Sequence, residues 1–252
     1  MNEPSPHILI TRPRGQHLEF TRSLQALGFT VSHLPCLEIE PLHEKLLAAD
    51  LADRFDTVLF TSVNAVSQAH RQRPLPWSSM RVHAIGAATA DALGRLGQPL
   101  AMIPEAPFSS EACVAQLRQL QPARLLIIKG QGGRALVASE LEPLGWQVST
   151  ACVYRRIRPG LDPHSVARLL TDPPPLIVSV TSNEVLHNLV VLAREHLGLL
   201  RQLPLVLNSH RAAELARSLG FSQQLLVASP AGDAGQLAQL QEWLDSRRGV
   251  HK

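Results

Sequence analysis

The second half of this chain repeats the first. The segment Ile10-Thr11-Arg12-Pro13, with Leu24, Leu27-Gly28-Phe29-Thr30-Val31, returns as Ile127-Ile128-Lys129-Gly130, with Leu141, Leu144-Gly145-Trp146-Gln147-Val148, at a constant shift. Phe60-Thr61-Ser62 returns as Val180-Thr181-Ser182, and the stretch 91–97 returns as 214–220. The order is kept while the shift drifts by a few residues. One α/β unit has been used twice. Two similar units facing each other would leave a cleft between them, a common place for a ligand. A chain of 252 residues has room for two modest domains, each with its own core.

Short apolar runs alternate with segments of helical period. Strands are expected at 7–11, 30–34, 57–61, 81–85, 100–103, 124–128, 147–154, 176–180, 205–207 and 225–228. Helices are expected at 16–27, 65–71, 87–96, 110–120, 134–144, 184–195, 212–219 and 234–247, with Gly28 stopping the first. Near-continuous apolar strands in such alternation predict parallel sheets covered by helices on both faces. Two extended stretches that close with Pro41 and with Pro159-Gly160, 34–41 and 153–160, break the rhythm and are candidate interdomain linkers. The Pro-rich stretch 171–175 is a further loop. If both linkers cross between domains, one domain is discontinuous and the other runs from about 42 to 151. A tandem cut near 122 gives the same strand count, so the pattern leaves both divisions open.

Composition narrows the function. The formal charge is only +3 and aromatic residues make up 4%, with no long basic run, which disfavours nucleic acid as a partner. No apolar run approaches the ~20 residues of a membrane helix. The opening residues lack the basic and apolar regions of a secretory signal, so a cytoplasmic protein is expected. Cys36, Cys113 and Cys152 are odd in number and form no C-x-x-C pair, and no H-E-x-x-H occurs; neither disulfide nor metal is expected. The loop 129–134 has its lysine before the glycines and is not a phosphate loop, and Gly86-Ala87-Ala88-Thr89 fails the dinucleotide fingerprint. No cofactor is expected.

Small polar residues and glycines gather where strands end: Thr11-Arg12, Thr61-Ser62-Val63-Asn64, Gly86, Ser109-Ser110, Lys129-Gly130 through Arg134, Thr181-Ser182 and Asn208-Ser209-His210. In open α/β sheets ligands sit beyond the carboxyl ends of the strands, where helix N-termini present N–H groups and a positive dipole end. Such a rim suits several anionic groups. Ser, Thr and Asn also serve as ordinary helix caps. Tyr154, the single tyrosine, stands in the second linker beside Arg155 and Arg156, and a phenol can donate a proton to a leaving oxygen. The two arginines read as a solvated pair.

The chain resembles the uroporphyrinogen-III synthase family. The likeness spans essentially the whole length and rests on ILITRPRGQ at 8–16, LFTSVNAV at 59–66, AIGAATADAL at 84–93 and PFSSEAC at 107–113. It continues in LLIIKGQGGRALVASELEPLGWQV at 125–148, Tyr154, and VTSNEVLHNL at 180–189. The resemblance implies two flavodoxin-like, parallel, five-stranded α/β domains joined by a two-stranded linker. It favours the discontinuous division, 1–37 with 155–252 and 38–154. It implies a cytoplasmic, monomeric lyase without cofactor. Such an enzyme cyclises linear hydroxymethylbilane to uroporphyrinogen III with loss of water and inversion of the terminal pyrrole ring, in transient contact with neighbouring pathway enzymes. Tyr154 is then the expected proton donor. Arg12, Thr61, Ser62, Asn64, Gly86, Ser109, Lys129, Gly130, Arg134, Thr181 and Ser182 are the expected binders of the substrate's carboxylates. Asn208-Ser209-His210 departs from the Gly86-Ala87-Ala88 of the other copy. The competing reading is a two-lobed anion- or tetrapyrrole-binding protein that does no chemistry.

Overall fold

The structure, a computed structural model, describes residues 5–48, 51–101, 110–133 and 135–249. The strands are β1 (His7–Ile10), β2 (Thr30–His33), β3 (Glu38–Pro41), β4 (Thr57–Phe60), β5 (Arg81–Ala84), β6 (Arg124–Gly130), β7 (Gln147–Ile157), β8 (Ile177–Val180), β9 (Leu205–Leu207) and β10 (Leu225–Val227). The helices are α1 (Leu18–Ala26), α2 (Val63–Gln72), α3 (Ala87–Gly94), α4 (Ser110–Leu117), α5 (Leu136–Leu141), α6 (Pro163–Thr171), α7 (Asn183–Leu192), α8 (Leu197–Leu200), α9 (His210–Ser218) and α10 (Asp233–Gly249). The chain divides into two compact units, Met1–Glu38 with Ile157–Lys252, and Ile39–Arg156.

In the first unit the strand order is β10-β9-β8-β1-β2, and every neighbouring pair is parallel. Adjacent residues on a strand face opposite sides of the sheet, and here both sides are covered. Leu9, Val178 and Leu205 pack with α7 and α9, whereas Ile8, Ile10, Ile177 and Val206 pack with Phe20 and Leu24 of α1 and Leu240 and Trp243 of α10. Burial on both faces is why these strands read as unbroken apolar runs. Each fully buried Leu or Ile contributes about 1.5–3 kcal/mol.

The second unit has the order β3-β7-β6-β4-β5, with β7, β6, β4 and β5 parallel. Val58, Phe60, Leu126 and Ile128 meet α2 and α3 on one face. Leu59, Leu125 and Ile127 meet α4 and α5 on the other. The repeat is visible in both topologies. In each, a strand–helix–strand pair (β1-α1-β2; β6-α5-β7) lies next to the strand that leads into the Thr-Ser turn (β8; β4).

Several elements differ from expectation, α8 among them. The first linker stretch contributes β3, a full member of the second sheet. The expected strand over 100–103 runs into residues outside those described, although Ala101 donates its N–H to the Val82 carbonyl at the β5 edge. After β7, where no helix is expected, α6 forms. Asp162 caps it, accepting the Ser165 N–H at 2.9 Å, and Pro163 occupies the first turn. Proline is suited there because the first turn has no intrahelical use for its missing N–H.

Candidate active site

Parallel strands leave their sheet at a common edge, and the helices that follow begin there. In the second unit β4 ends at Phe60 and the Thr61–Ser62 turn leads into α2. The Ser62 backbone is extended (φ −169°, ψ 162°) and its Oγ accepts the Ala65 N–H at 3.0 Å, satisfying a helix-end donor that has no intrahelical partner. Next to it, β6 and β7 pair in register until Lys129 lies opposite Cys152. The register then shifts, and Gly130 pairs with Tyr154. Val153 is passed over, a β-bulge that re-aims the side chain beyond it.

The bulge sets Tyr154 against Gly130. Tyr154 is 7% exposed, its carbonyl accepts the Gln131 N–H at 2.7 Å, and its hydroxyl lies 3.1 Å from Ser62 Oγ. A methyl group at position 130 would stand 2.5 Å from the ring Cζ and 2.9 Å from the phenolic oxygen. The ring therefore occupies space that only glycine leaves open.

These groups border a pocket of about 240 Å3. Ile85, Ile127 and Val137 give it an apolar wall, and Thr61, Lys129, Tyr154 and Arg156 a polar one. The turn through Gln131, Gly132 and Gly133 also lines it, both glycines at positive φ (79° and 75°), a conformation glycine adopts without steric cost. Strand alternation separates the two linker arginines. Thr150, Tyr154 and Arg156 line the pocket, while Arg155 donates two hydrogen bonds of 2.8 Å to Glu40 of β3. That pairing holds the Glu40 carboxyl below its ordinary range. Both arginines are exposed, as the solvated pair expected from sequence requires; Arg155 in addition pairs with Glu40, and Arg156 borders the pocket.

Of the residues singled out from sequence, Thr61, Ser110, Lys129, Gly130, Gln131, Gly132, Gly133 and Tyr154 line this pocket, and Ser62 adjoins it through Tyr154. Asn64, in the first turn of α2, and Gly86, which caps α3, are not in its lining. Ser109 and Arg134 lie outside the described residues. Thr150 and Arg156 were not foreseen as wall residues. For Arg156 its even spacing from Tyr154 on a strand is the signal that would have found it; Thr150 lies across the bulge, where spacing is no guide.

In the first unit, Thr181 and Ser182 reproduce the Thr61–Ser62 turn: Ser182 Oγ accepts the Val185 N–H at 3.2 Å. The surroundings differ. Asn208 donates to the Thr181 carbonyl at 3.2 Å and accepts from the Gly232 N–H at 3.3 Å and Gln236 Nε2 at 2.9 Å. Ser179 Oγ donates to Gln236 at 2.7 Å, and Thr11 donates to the Ser179 carbonyl at 2.6 Å. This is a satisfied internal network, the form in which buried polar groups are tolerated. Arg12 is 8% exposed, donates to Asp233 at 2.7 Å and lies 3.8 Å over the Phe20 ring. Its Nε and the other terminal nitrogen are sealed from solvent.

Among the described residues no cluster of three or more His, Cys, Asp or Glu could hold a metal, and no helix is long and apolar enough to cross a membrane. All three cysteines are free thiols.

The family model described as Uroporphyrinogen-III synthase HemD matches residues 19–235. A uroporphyrinogen-III synthase of Escherichia coli is 33% identical over 248 residues, covering 93% of this chain and 99% of its own. One from Salmonella typhimurium is 34% identical over 251 residues, with the same coverage. Among solved structures, a uroporphyrinogen-III synthetase from Helicobacter pylori superposes with TM-score 0.64 at 16% identity, covering 95% of this chain and 99% of its own. A mutant synthase from Thermus thermophilus gives 0.59 at 17%, covering 97% and 100%. By the family match and by relatives aligned along nearly their whole length, the chain belongs to the uroporphyrinogen-III synthase family.

Proposed function

We propose that this chain is a cyclising lyase that turns hydroxymethylbilane into uroporphyrinogen III, and that Tyr154 is its proton donor. The observation that carries the assignment of residues is the phenol of Tyr154, seated between Ser62 and Gly130 at a pocket with one apolar and one polar wall. In the first step the C–O bond of the hydroxymethyl group breaks. The pyrrole nitrogen lone pair supplies the electrons, and the departing oxygen takes the Tyr154 proton and leaves as water. The ring carbon that already bears the bridging methylene attacks the resulting azafulvene-type cation and forms a spiro intermediate. The old bond from that carbon to its methylene then breaks, giving a second azafulvene-type cation, and the methylene so released joins the unsubstituted α carbon of the turned ring. The proton lost when the pyrrole regains aromaticity restores the phenol.

The pocket fits that chemistry in kind. Ile85, Ile127 and Val137 suit a pyrrole face, and Lys129 and Arg156 bring positive charge to the acetate and propionate groups. Thr181 and Ser182 are proposed to bind carboxylate at the corresponding edge of the first unit, through N–H groups at the start of α7. The order β10-β9-β8-β1-β2 supports a flavodoxin-like description, because chain-order numbering within that unit reads 5-4-3-1-2. We take the enzyme to be a cytoplasmic monomer, with hydroxymethylbilane as its partner.

Because the chemistry is largely intrinsic to electron-rich pyrroles, the protein's contribution is to assist departure and to position the attacking carbon. Incubation with hydroxymethylbilane and chromatography of the product isomers tests this. Type III above the spontaneous type I background is expected; an unchanged isomer mixture contradicts the assignment.

A further inference from the structure

Ser62 and Gly130 were both expected to grip carboxylate. Their geometry points elsewhere. Ser62 Oγ already accepts the Ala65 N–H, and its remaining near partner is the Tyr154 hydroxyl at 3.1 Å. A serine hydroxyl has one proton to give. With its lone pair turned to Ala65, that proton can be directed at the phenolic oxygen, which leaves the phenol's own proton pointing away from Ser62. Gly130 acts on the same ring from the other side: the β6–β7 bulge brings it opposite Tyr154, and any side chain there would occupy the ring's place. In the first copy Pro13 stands where Gly130 stands in the second, so this arrangement belongs to one copy only.

We infer that Ser62 and Gly130 are positioning residues for the Tyr154 phenol, Ser62 by donating a hydrogen bond to its oxygen and Gly130 by leaving room for its ring. The inference rests on the reading of Tyr154 as proton donor. While the phenol gives up its proton, the oxygen gains negative charge, and a donor held by a capped helix end strengthens at that moment. Ser62 therefore acts through Tyr154 and not on substrate carboxylate.

The test is a set of single and double variants, followed by turnover and by the ring signal of isotopically labelled tyrosine. The chain has one tyrosine, so one ring is observed. Ser62→Ala is expected to lower kcat about tenfold with KM little changed. Ser62→Thr, which keeps the hydroxyl, restores most of it. Gly130→Ala moves the ring signal and lowers kcat about a hundredfold. Placed in a Tyr154→Phe background, Ser62→Ala and Gly130→Ala should add little. A rise in KM at constant kcat for Ser62→Ala, or a full additional loss in the Phe background, overturns the inference and returns these residues to substrate binding. Should Gly130→Ala fail to fold, the Ser62 pair decides alone. If Tyr154→Phe itself turns over like the natural protein, the underlying reading of Tyr154 falls instead, a result distinct from the others.

Discussion

His83 lies in the middle of β5, 2% exposed, and neither ring nitrogen meets a partner among the described residues. Burial, reinforced by the charge of Arg81, pushes its imidazole down to about 4 from 6.5. The folded protein therefore keeps this ring neutral where the unfolded chain would protonate it. Stability must fall as pH drops from 6.5 towards 4, and level off once the folded ring also takes its proton. The loss is about 3 kcal/mol for a shift of this size. We expect His83→Leu to flatten that part of the profile. Denaturant melts at pH 7 and pH 4.5 check it, and an equal acid loss in both proteins would contradict it. The site was partly legible at this scale. Thr61 and Lys129 could be read from their place at the ends of apolar parallel strands, and Tyr154 because it is the single tyrosine and stands in the second linker. The contact of Gly130 with Tyr154 could not, since it depends on a bulge that skips Val153. Nor could the enclosure of Arg12 between Asp233 and Phe20, because pairing over such sequence distance leaves no local pattern.

At the scale of elements, the repeated glycines do the same work in both copies. Gly28 and Gly145 follow the helical segments that lead into β2 and β7, at φ 90° and 89°, the left-handed conformation that ends a helix. An L side chain is disfavoured there, so Gly28→Ala should lower unfolding stability by about 1 kcal/mol. No loss in a chemical melt would show that the turn can relax. Asp56 joins the starts of β4 and β6. It accepts the Arg124 backbone N–H at 3.1 Å and the guanidinium at 3.0 and 2.7 Å. These bonds hold its carboxyl down to about 2 from 3.8. A carboxyl lowered by folding stabilises above its unfolded value and loses that contribution as pH falls from 3.8 through 2. Asp56→Asn should unfold with a shallower acid dependence in that window, which circular dichroism during acid titration would register. Most strands were legible because their apolar runs are buried on both faces. β3 was hidden because its sequence, Glu-Ile-Glu-Pro, alternates charge with a single apolar residue at the end of a sheet. α6 was hidden because the prolines around it suggested a break, although Asp162-Pro163 is itself a helix-start signal.

At the scale of the molecule, the sequence repeat and the two sheets describe one event. β2-β1-β8-β9 in the first unit and β7-β6-β4-β5 in the second follow the same ladder from matching segments. The second unit is continuous in the chain and carries a core on each face of its sheet, so a fragment spanning 39–156 should unfold cooperatively. A fragment with no cooperative transition would show that this core depends on the rest of the chain. The two copies diverge where chemistry is proposed. Lys129 forms pocket wall, while Arg12, its counterpart, is closed into an ion pair; Gly130 admits a phenol where the other copy has Pro13. Function is thus assigned to an asymmetry laid over a duplicated frame. The most direct test is the initial rate of type III product from hydroxymethylbilane by the natural protein and by Tyr154→Phe, with both confirmed folded. A fall of about a hundredfold or more in the variant, with spontaneous type I product taking over, is the predicted result; equal rates of type III formation would contradict it.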